Sequence, residues 1–255
     1  METALRLQDY LKELCLPGMR ESYVDVARQA VAESLSYEQF LLELLVRETE
    51  ARRQHRVERL RQESRLPPLK TLSNFEMSRL PVKARQQVAV LREGGFLDRR
   101  ENVLAFGNPG SGKTHVLCGV CHELVERRRR VYYTTCSLLV QELLIAKRDL
   151  RLGQLLKRLS RYEGLLIDDL GYVQQSREEM EVLFTLLADR YERGSVLITS
   201  NLPFSGWEAI FKDPMTTAAA IDRLVHHSVI LELNLPSYRM EHAKQSQTQE
   251  ENREE

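Results

Sequence analysis

The chain has 255 residues, 42% of them hydrophobic, and Lys+Arg 37 against Asp+Glu 37 gives a formal net charge of +0. That length suits one large domain plus an appendage with a substantial core, and the balanced charge by itself points to no partner. No apolar run nears the ~18 residues of a membrane span, which excludes a transmembrane helix. No signal peptide opens the sequence, and the four cysteines are expected as reduced thiols in the cytoplasm.

Residues 5 to 33 read as short helices broken at Leu16-Pro17-Gly18. Ser36 followed by Gln39 is a capped helix start, with apolar positions at Phe40, Leu41, Leu44 and Leu45. Between 47 and 65 this helix becomes charged nearly all round. It carries Arg47, Arg52, Arg53, Arg56, Arg59, Arg61 and Arg65 against Glu48, Glu50, Glu58 and Glu63, with no lysine. A solvated, salt-bridged helix is one account. The excess of arginine favours bidentate phosphate contacts, so Arg52, Arg53, Arg56 and Arg59 are candidate DNA ligands. Arg127 to Arg130 form a second basic run. Leu66-Pro67-Pro68 ends the helix and marks a linker, which divides the chain into a helical domain at 1–66 and a larger one at 67–236. The tail at 237–255 is polar and acidic, lacks apolar periodicity, and is expected to be mostly disordered.

A helix is predicted from Pro81 to Arg92, stopped at Gly94-Gly95. From 102 onward strands and helices alternate. Strands are expected at 102–106, 131–135, 165–169, 195–199 and 229–233, and helices at 115–127, 137–147, 150–162, 177–190 and 214–226. Five apolar strands separated by helices imply an α/β fold with a parallel sheet covered on both faces.

The first strand runs into Gly107-Asn108-Pro109-Gly110-Ser111-Gly112-Lys113-Thr114, which satisfies G-x-x-x-x-G-K-[ST] in full. Strand, glycine loop and helix together are the context that makes this a phosphate site rather than a chance turn. Backbone N–H groups and the helix N-terminus face the phosphates, Lys113 adds a cation, and Thr114 offers a hydroxyl to Mg²⁺. Asp168 and Asp169 close the third strand, at the end where ligands bind in open α/β sheets. Asp168 suits Mg²⁺ opposite Thr114, and Asp169 suits a general base or a residue orienting water. Asn201, after the fourth strand, could reach the γ-phosphate or serve only as a turn former before Pro203. Arg223, beside Asp222, is either an internal ion pair or an arginine finger for a neighbouring subunit. His115, Cys118, Cys121 and His122 lie on one helix and cannot surround a tetrahedral metal, so buried cysteines are expected there. Trp207 is expected to pack rather than stack on bases.

The set Gly107–Thr114, 165–171, Thr199–Asn201, Asp222-Arg223-Leu224 and Ser237-Tyr238-Arg239 resembles the AAA+ ATPases of the DnaC and IstB type. Gly112–His115, 168–172, Arg190–Glu192, Thr199–Phe204, Trp207, Ile210-Phe211 and the N-terminal Leu16–Met19 narrow the resemblance to IstB, over about residues 5 to 240. It implies an AAA+ P-loop core behind a helical N-terminal domain. It also implies ATP and Mg²⁺ as ligands, ATP-dependent homo-oligomerisation on duplex DNA in the bacterial cytoplasm, and regulation of transposition with a DDE transposase. By position, Asp168 and Asp169 become the Mg²⁺ and catalytic acidic positions, Asn201 a sensor and Arg223 the finger acting in trans. Two departures stand out. Many relatives of this type carry Glu where this chain has Asp169, which implies slow turnover. The helical lid after the last strand is expected to be reduced or absent, leaving Arg239 as a substitute sensor. A DnaC-like helicase loader, a P-loop kinase of small metabolites and an ATP-gated scaffold are the rival readings.

Overall fold

The computed structural model describes residues 2–171, 176–207 and 214–238. The chain divides into two units, residues 1–59 and 60–255.

The first unit contains α1 (Glu2–Glu13), α2 (Pro17–Ala32) and most of α3 (Tyr37–Ser64). Pro17 opens α2, where its missing N–H and fixed φ cost nothing. The capping box expected at Ser36 is present: Gln39 N–H donates to Ser36 Oγ, and Ser36 N–H donates to Gln39 Oε1 at 2.8 Å. A small core of Leu11, Met19, Val26 and Leu44 holds the three helices together. Gly18 has no room for a side chain, since a Cβ there would sit 2.8 Å from Ala51 Cβ. The arginine-rich segment contributes to this packing. Arg52 donates from Nε to Glu48 Oε1 at 2.6 Å and from Nη2 to the Cys15 carbonyl at 2.9 Å. Glu48 is buried and also accepts from the Met19 amide. Burial works to raise the Glu48 carboxyl, but the Arg52 and Met19 hydrogen bonds hold it below its ordinary value.

The second unit begins inside α3. Its last turns belong to this unit, with Leu60 buried, Arg61 on Glu126 at 2.6 Å and Glu63 on Arg130 at 2.9 Å. Two 3-10 turns (Leu72–Asn74 and Met77–Arg79) lead to α4 (Val82–Leu91) and α5 (Gly95–Asp98). The α/β core then runs β1 (Asn102–Phe106), α6 (Lys113–Glu126), β2 (Val131–Thr135), α7 (Cys136–Arg148) and α8 (Leu152–Leu159). It continues through β3 (Gly164–Leu170), α9 (Arg177–Arg190), β4 (Ser195–Ser200), α10 (Pro214–Val225) and β5 (Ser228–Glu232). The five strands form one parallel sheet in the order β2-β3-β4-β1-β5, as the alternation of apolar runs predicts. Placing β4 between β1 and β3 brings three strand ends together at one edge of the sheet.

Two buried polar residues organise the opposite edge. Arg190, 2% exposed, caps the carbonyls of Leu159, Tyr162, Glu163 and Ser195. With no carboxylate hydrogen-bonded to it among the described residues, burial pulls its pKa down to about 10. Asn102, at the start of β1, accepts from the Val196 amide and donates to the Leu224 carbonyl, so it ties β4 to the end of α10.

Candidate active site

The glycine loop leaves β1 at the C-terminal edge of the sheet. Gly107, Gly110 and Gly112 adopt φ of +150°, +79° and +94°. A Cβ on Gly107 would lie 2.1 Å from the Leu233 carbonyl oxygen, and one on Gly112 2.6 Å from Phe75 Cε2, so conformation and space both demand glycine. Lys113 is buried on the first turn of α6, and its Nζ donates to the carbonyls of Gly107 at 2.8 Å and Asn108 at 2.9 Å. Its ammonium therefore lies across the hollow of the loop. Ser111 Oγ is buried there with no hydrogen-bond partner among the described residues. A hollow lined by a cation, an unsatisfied hydroxyl and a helix N-terminus is built for an anion.

Asp168, 3% exposed, gathers three hydroxyls. Oδ1 accepts from Thr114 at 2.8 Å and from Thr199 at 2.5 Å, and Oδ2 accepts from Tyr133 at 3.0 Å. A β-bulge makes this possible. Between Ile167↔Ile198 and Leu170↔Ser200 the strand β3 carries one residue more than β4, so Asp168 and Asp169 both oppose Thr199. Strict alternation would have sent the two carboxylates to opposite faces. Asp169 takes φ +60°, where aspartate is several-fold enriched over longer acids, and its N–H donates to Thr199 Oγ1 at 2.9 Å. Thr114 Oγ1 and the Asp168 carboxylate are hard oxygen donors, the set that Mg²⁺ takes alongside phosphate.

These groups open onto a cavity of about 600 Å³ lined on one side by 109–115, Asp168, Asp169 and Asn201. The opposite wall is unexpected. Lys70, Phe75 and Arg79 come from the linker before α4, and Leu235 and Tyr238 from the segment after β5. Tyr238 N–H donates to the Gly110 carbonyl at 3.1 Å, and the Arg79 guanidinium lies 4.9 Å over the Tyr238 ring. The loop itself carries Lys113, and the fold supplies two further cations from a segment whose only signals in the sequence are its prolines and aromatics. Tyr133 was missed for a similar reason, since inside a β-branched strand a tyrosine reads as packing. Burial first, and then the Asp168 charge, raise its phenol far above the ordinary range, so it acts as a donor.

The remaining candidates fall as follows. His115 Nε2 pairs with the Thr71 carbonyl and His122 Nε2 with that of Pro67, while Cys118 and Cys121 are fully buried, as expected of packing residues. Burial pushes the Cys118 thiol up to about 12 and raises Cys121 as well, which leaves both inert. Trp207 is a core residue whose Nε1 donates to the Leu202 carbonyl. Arg53 and Arg56 are exposed on α3, whereas Arg52 is engaged as described. In the second basic run, Arg129 pairs with Asp98 and Glu163, and Arg130 with Glu63. Arg223 does not join the cavity. Asn102 Nδ2 reaches its carbonyl from the N-terminal end of β1, about 13 Å of strand from the end that carries the loop. Its guanidinium donates to the Ala219 carbonyl and lies 4.8 Å over the Phe184 ring. Among the described residues it has no carboxylate partner, and the Asp222 ion pair is not formed. Tyr172, Ile210, Phe211, Arg239, and the expectations for the lid and tail beyond 238, lie outside the described residues.

A parallel sheet of this order, a glycine loop on β1 and a carboxylate pair on β3 define a P-loop nucleotide-binding protein of the AAA+ class. The chain matches the family of IstB-like ATP binding proteins over residues 9–246, and it belongs to that family. An insertion sequence ATP-binding protein of Sinorhizobium fredii is 39% identical over 94% of this chain and 81% of its own length. The insertion sequence IS21 ATP-binding protein of Pseudomonas aeruginosa is 34% identical over 94% and 91%. Among solved structures, the DnaC helicase loader superposes with a TM-score of 0.55 at 16% identity, over 64% of this chain and 96% of that one. DnaA of Aquifex aeolicus bound to AMPPCP gives 0.55 at 18% identity, over 73% and 57%. At such identities the structural likeness speaks for the fold alone.

Proposed function

We propose that this chain is an ATP-dependent, DNA-binding regulator of transposition. In this reading it assembles as a homo-oligomer on duplex DNA in the bacterial cytoplasm, hydrolyses ATP between subunits, and directs a DDE transposase to its target. The insertion-sequence relatives and the anion-ready loop support it. The observation that carries the intersubunit step is the place of Arg223, at the opposite end of β1 from Lys113.

Lys113 exchanges the Gly107 and Asn108 carbonyls for phosphate oxygens, and Ser111 Oγ gains the partner it lacks. Thr114 Oγ1 and Asp168 would hold Mg²⁺, which would supply positive charge to the terminal phosphates. Tyr133 and Thr199 fix the Asp168 carboxylate from both sides. Asp169, brought level with Thr199 by the bulge, accepts a proton from the attacking water at its carboxylate, and the Asn201 amide orients that water. Lys70 and Arg79 line the facing wall of the cavity, and Arg223 of an adjacent subunit adds the cation that acts on charge developing on the γ-phosphate.

Mixing two inactive variants tests this arrangement. Lys113→Ala and Arg223→Ala proteins should each hydrolyse little ATP alone. Their mixture should recover activity, because some interfaces pair an intact loop with an intact arginine. Undiminished turnover by Arg223→Ala alone, strictly proportional to protein concentration, would overturn the intersubunit mechanism.

A further inference from the structure

Away from the cavity, at the N-terminal edge of the sheet, two turns bring ligating side chains together. Glu192 sits in the turn between α9 and β4, and His226 and His227 in the turn between α10 and β5. Each offers one ligand atom, and the three atoms lie within 4.8 Å of one another. We propose that Glu192, His226 and His227 form a binding site for one transition-metal dication of the zinc class.

The backbone beneath the cluster is anchored by hydrogen bonds. Asn102, only 9% exposed, anchors the His227 turn and the start of β4: its N–H donates to the His227 carbonyl at 2.8 Å, its Nδ2 to the Leu224 carbonyl at 3.1 Å, and its Oδ1 accepts from Val196 at 2.9 Å. Glu192 is held in a left-handed conformation, φ +58°, and its carbonyl accepts from Arg100 at 2.6 Å. The ligands are thus presented on a fixed frame, with freedom only in their side chains.

The imidazoles are arranged in a way that suits a metal. Tyr191 Oη lies 3.2 Å from His226 Nδ1, a contact that orients the ring. The His226 and His227 rings lie 4.2 Å apart, centroid to centroid, at an interplanar angle of 59°. Bonds of ~2.0–2.2 Å to a tetrahedral ion place ligand atoms about 3.4 Å apart. Rotation of three exposed side chains closes that difference without moving the backbone. Two imidazoles and one carboxylate suit Zn²⁺, Ni²⁺ or Cu²⁺ and are a poor set for Mg²⁺, which takes oxygen ligands. With three ligands, one coordination position stays open. Glu101, within electrostatic reach of His227, adds negative charge beside the site. Arg223 precedes His226 by one helical turn, so a bound ion braces the helix end that carries it. That consequence rests on the proposed ATPase mechanism, whereas metal binding does not.

The test is calorimetric titration of tag-free, chelator-stripped full-length protein with Zn²⁺ in excess Mg²⁺, with Co²⁺ absorption as a report of tetrahedral geometry. One equivalent per chain is expected. His226→Ala or His227→Ala should weaken binding at least about tenfold, since changes to outer-shell partners alone cost that much, and the double variant should abolish it. His55→Ala, at an exposed histidine outside both sites, should bind as the parent does. Glu192→Gln, an isosteric change on the surface, gives the same test if a histidine variant fails to fold. Absence of a stoichiometric micromolar site, or binding undiminished in the double variant, overturns the proposal. Loss of nucleotide binding with metal binding intact would count against the ATPase reading alone.

Discussion

Asp168→Asn should separate the stability of the empty site from its ability to hold a metal. The Asp168 carboxylate is buried, accepts three hydroxyls, and has no Lys or Arg ion-pair partner among the described residues. Hydrogen bonds to a charged group contribute about 1.5–3 kcal/mol each. Removing a carboxylate from water costs several kcal/mol, so the two terms are of similar size. In the variant, the amide oxygen still accepts from Thr114 and Thr199, and the Tyr133 hydroxyl can turn to accept from the amide nitrogen. Without nucleotide, stability is therefore expected within about 1 kcal/mol of the parent. The difference should appear with ligand. A ligand at one hundred times its dissociation constant stabilises by about 2.7 kcal/mol. For a chain of this size that is an upward shift in the thermal midpoint of about 5–11 °C. Thermal unfolding followed by circular dichroism, with a non-hydrolysable ATP analogue in Mg²⁺ or in EDTA, measures both quantities. The parent should show the Mg²⁺-dependent shift and Asp168→Asn less than about 2 °C of it. The reasoning is refuted if the variant keeps the whole Mg²⁺-dependent shift, or if it loses more than about 3 kcal/mol without ligand. The second outcome would make Asp168 an anchor for three hydroxyls.

Lys113→Ala should fold, because the Nζ bonds to the Gly107 and Asn108 carbonyls are local to the loop, and should lose ATP affinity by at least about tenfold in a fluorescent-nucleotide titration. Tyr133→Phe removes one hydroxyl from Asp168 and should raise the Mg²⁺ needed for half-maximal nucleotide binding by about tenfold, with affinity in EDTA unchanged; equal Mg²⁺ dependence would make the phenol a packing group. Asp169→Asn should bind ATP and persist in assemblies while hydrolysis falls by about 10²-fold or more, and an unchanged rate would support a scaffold that uses ATP only as a gate. Arg53→Glu with Arg56→Glu should reduce the salt dependence of DNA affinity by about two phosphates' worth of counterions, whereas Arg52→Ala should lower the stability of residues 1–59, because that guanidinium secures Glu48 and the Cys15 carbonyl.

The order of strands and helices, the phosphate loop and the Ser36 capping box could be read from residues alone, because each depends on local periodicity or on short fixed spacings. The glycine loop is the clearest case: Gly107, Gly110 and Gly112 are required by their own φ values, so their spacing carries the information. Which strands meet is not local. The Asp168 cluster exists because β4 lies between β1 and β3, and because one extra residue in β3 levels Asp168 and Asp169 with Thr199. A bulge leaves no mark in a hydrophobic pattern, and neither does the hydroxyl of a strand tyrosine that finds a carboxylate 35 residues away. Arginine shows the limit most plainly. Arg52, Arg53 and Arg190 are the same residue in the sequence, but tertiary contacts make Arg52 a clasp for a helix corner, leave Arg53 in solvent, and bury Arg190 among four carbonyls. A guanidinium can hydrate, pair with an acid or cap backbone, and only the groups that folding brings within about 3 Å select among these.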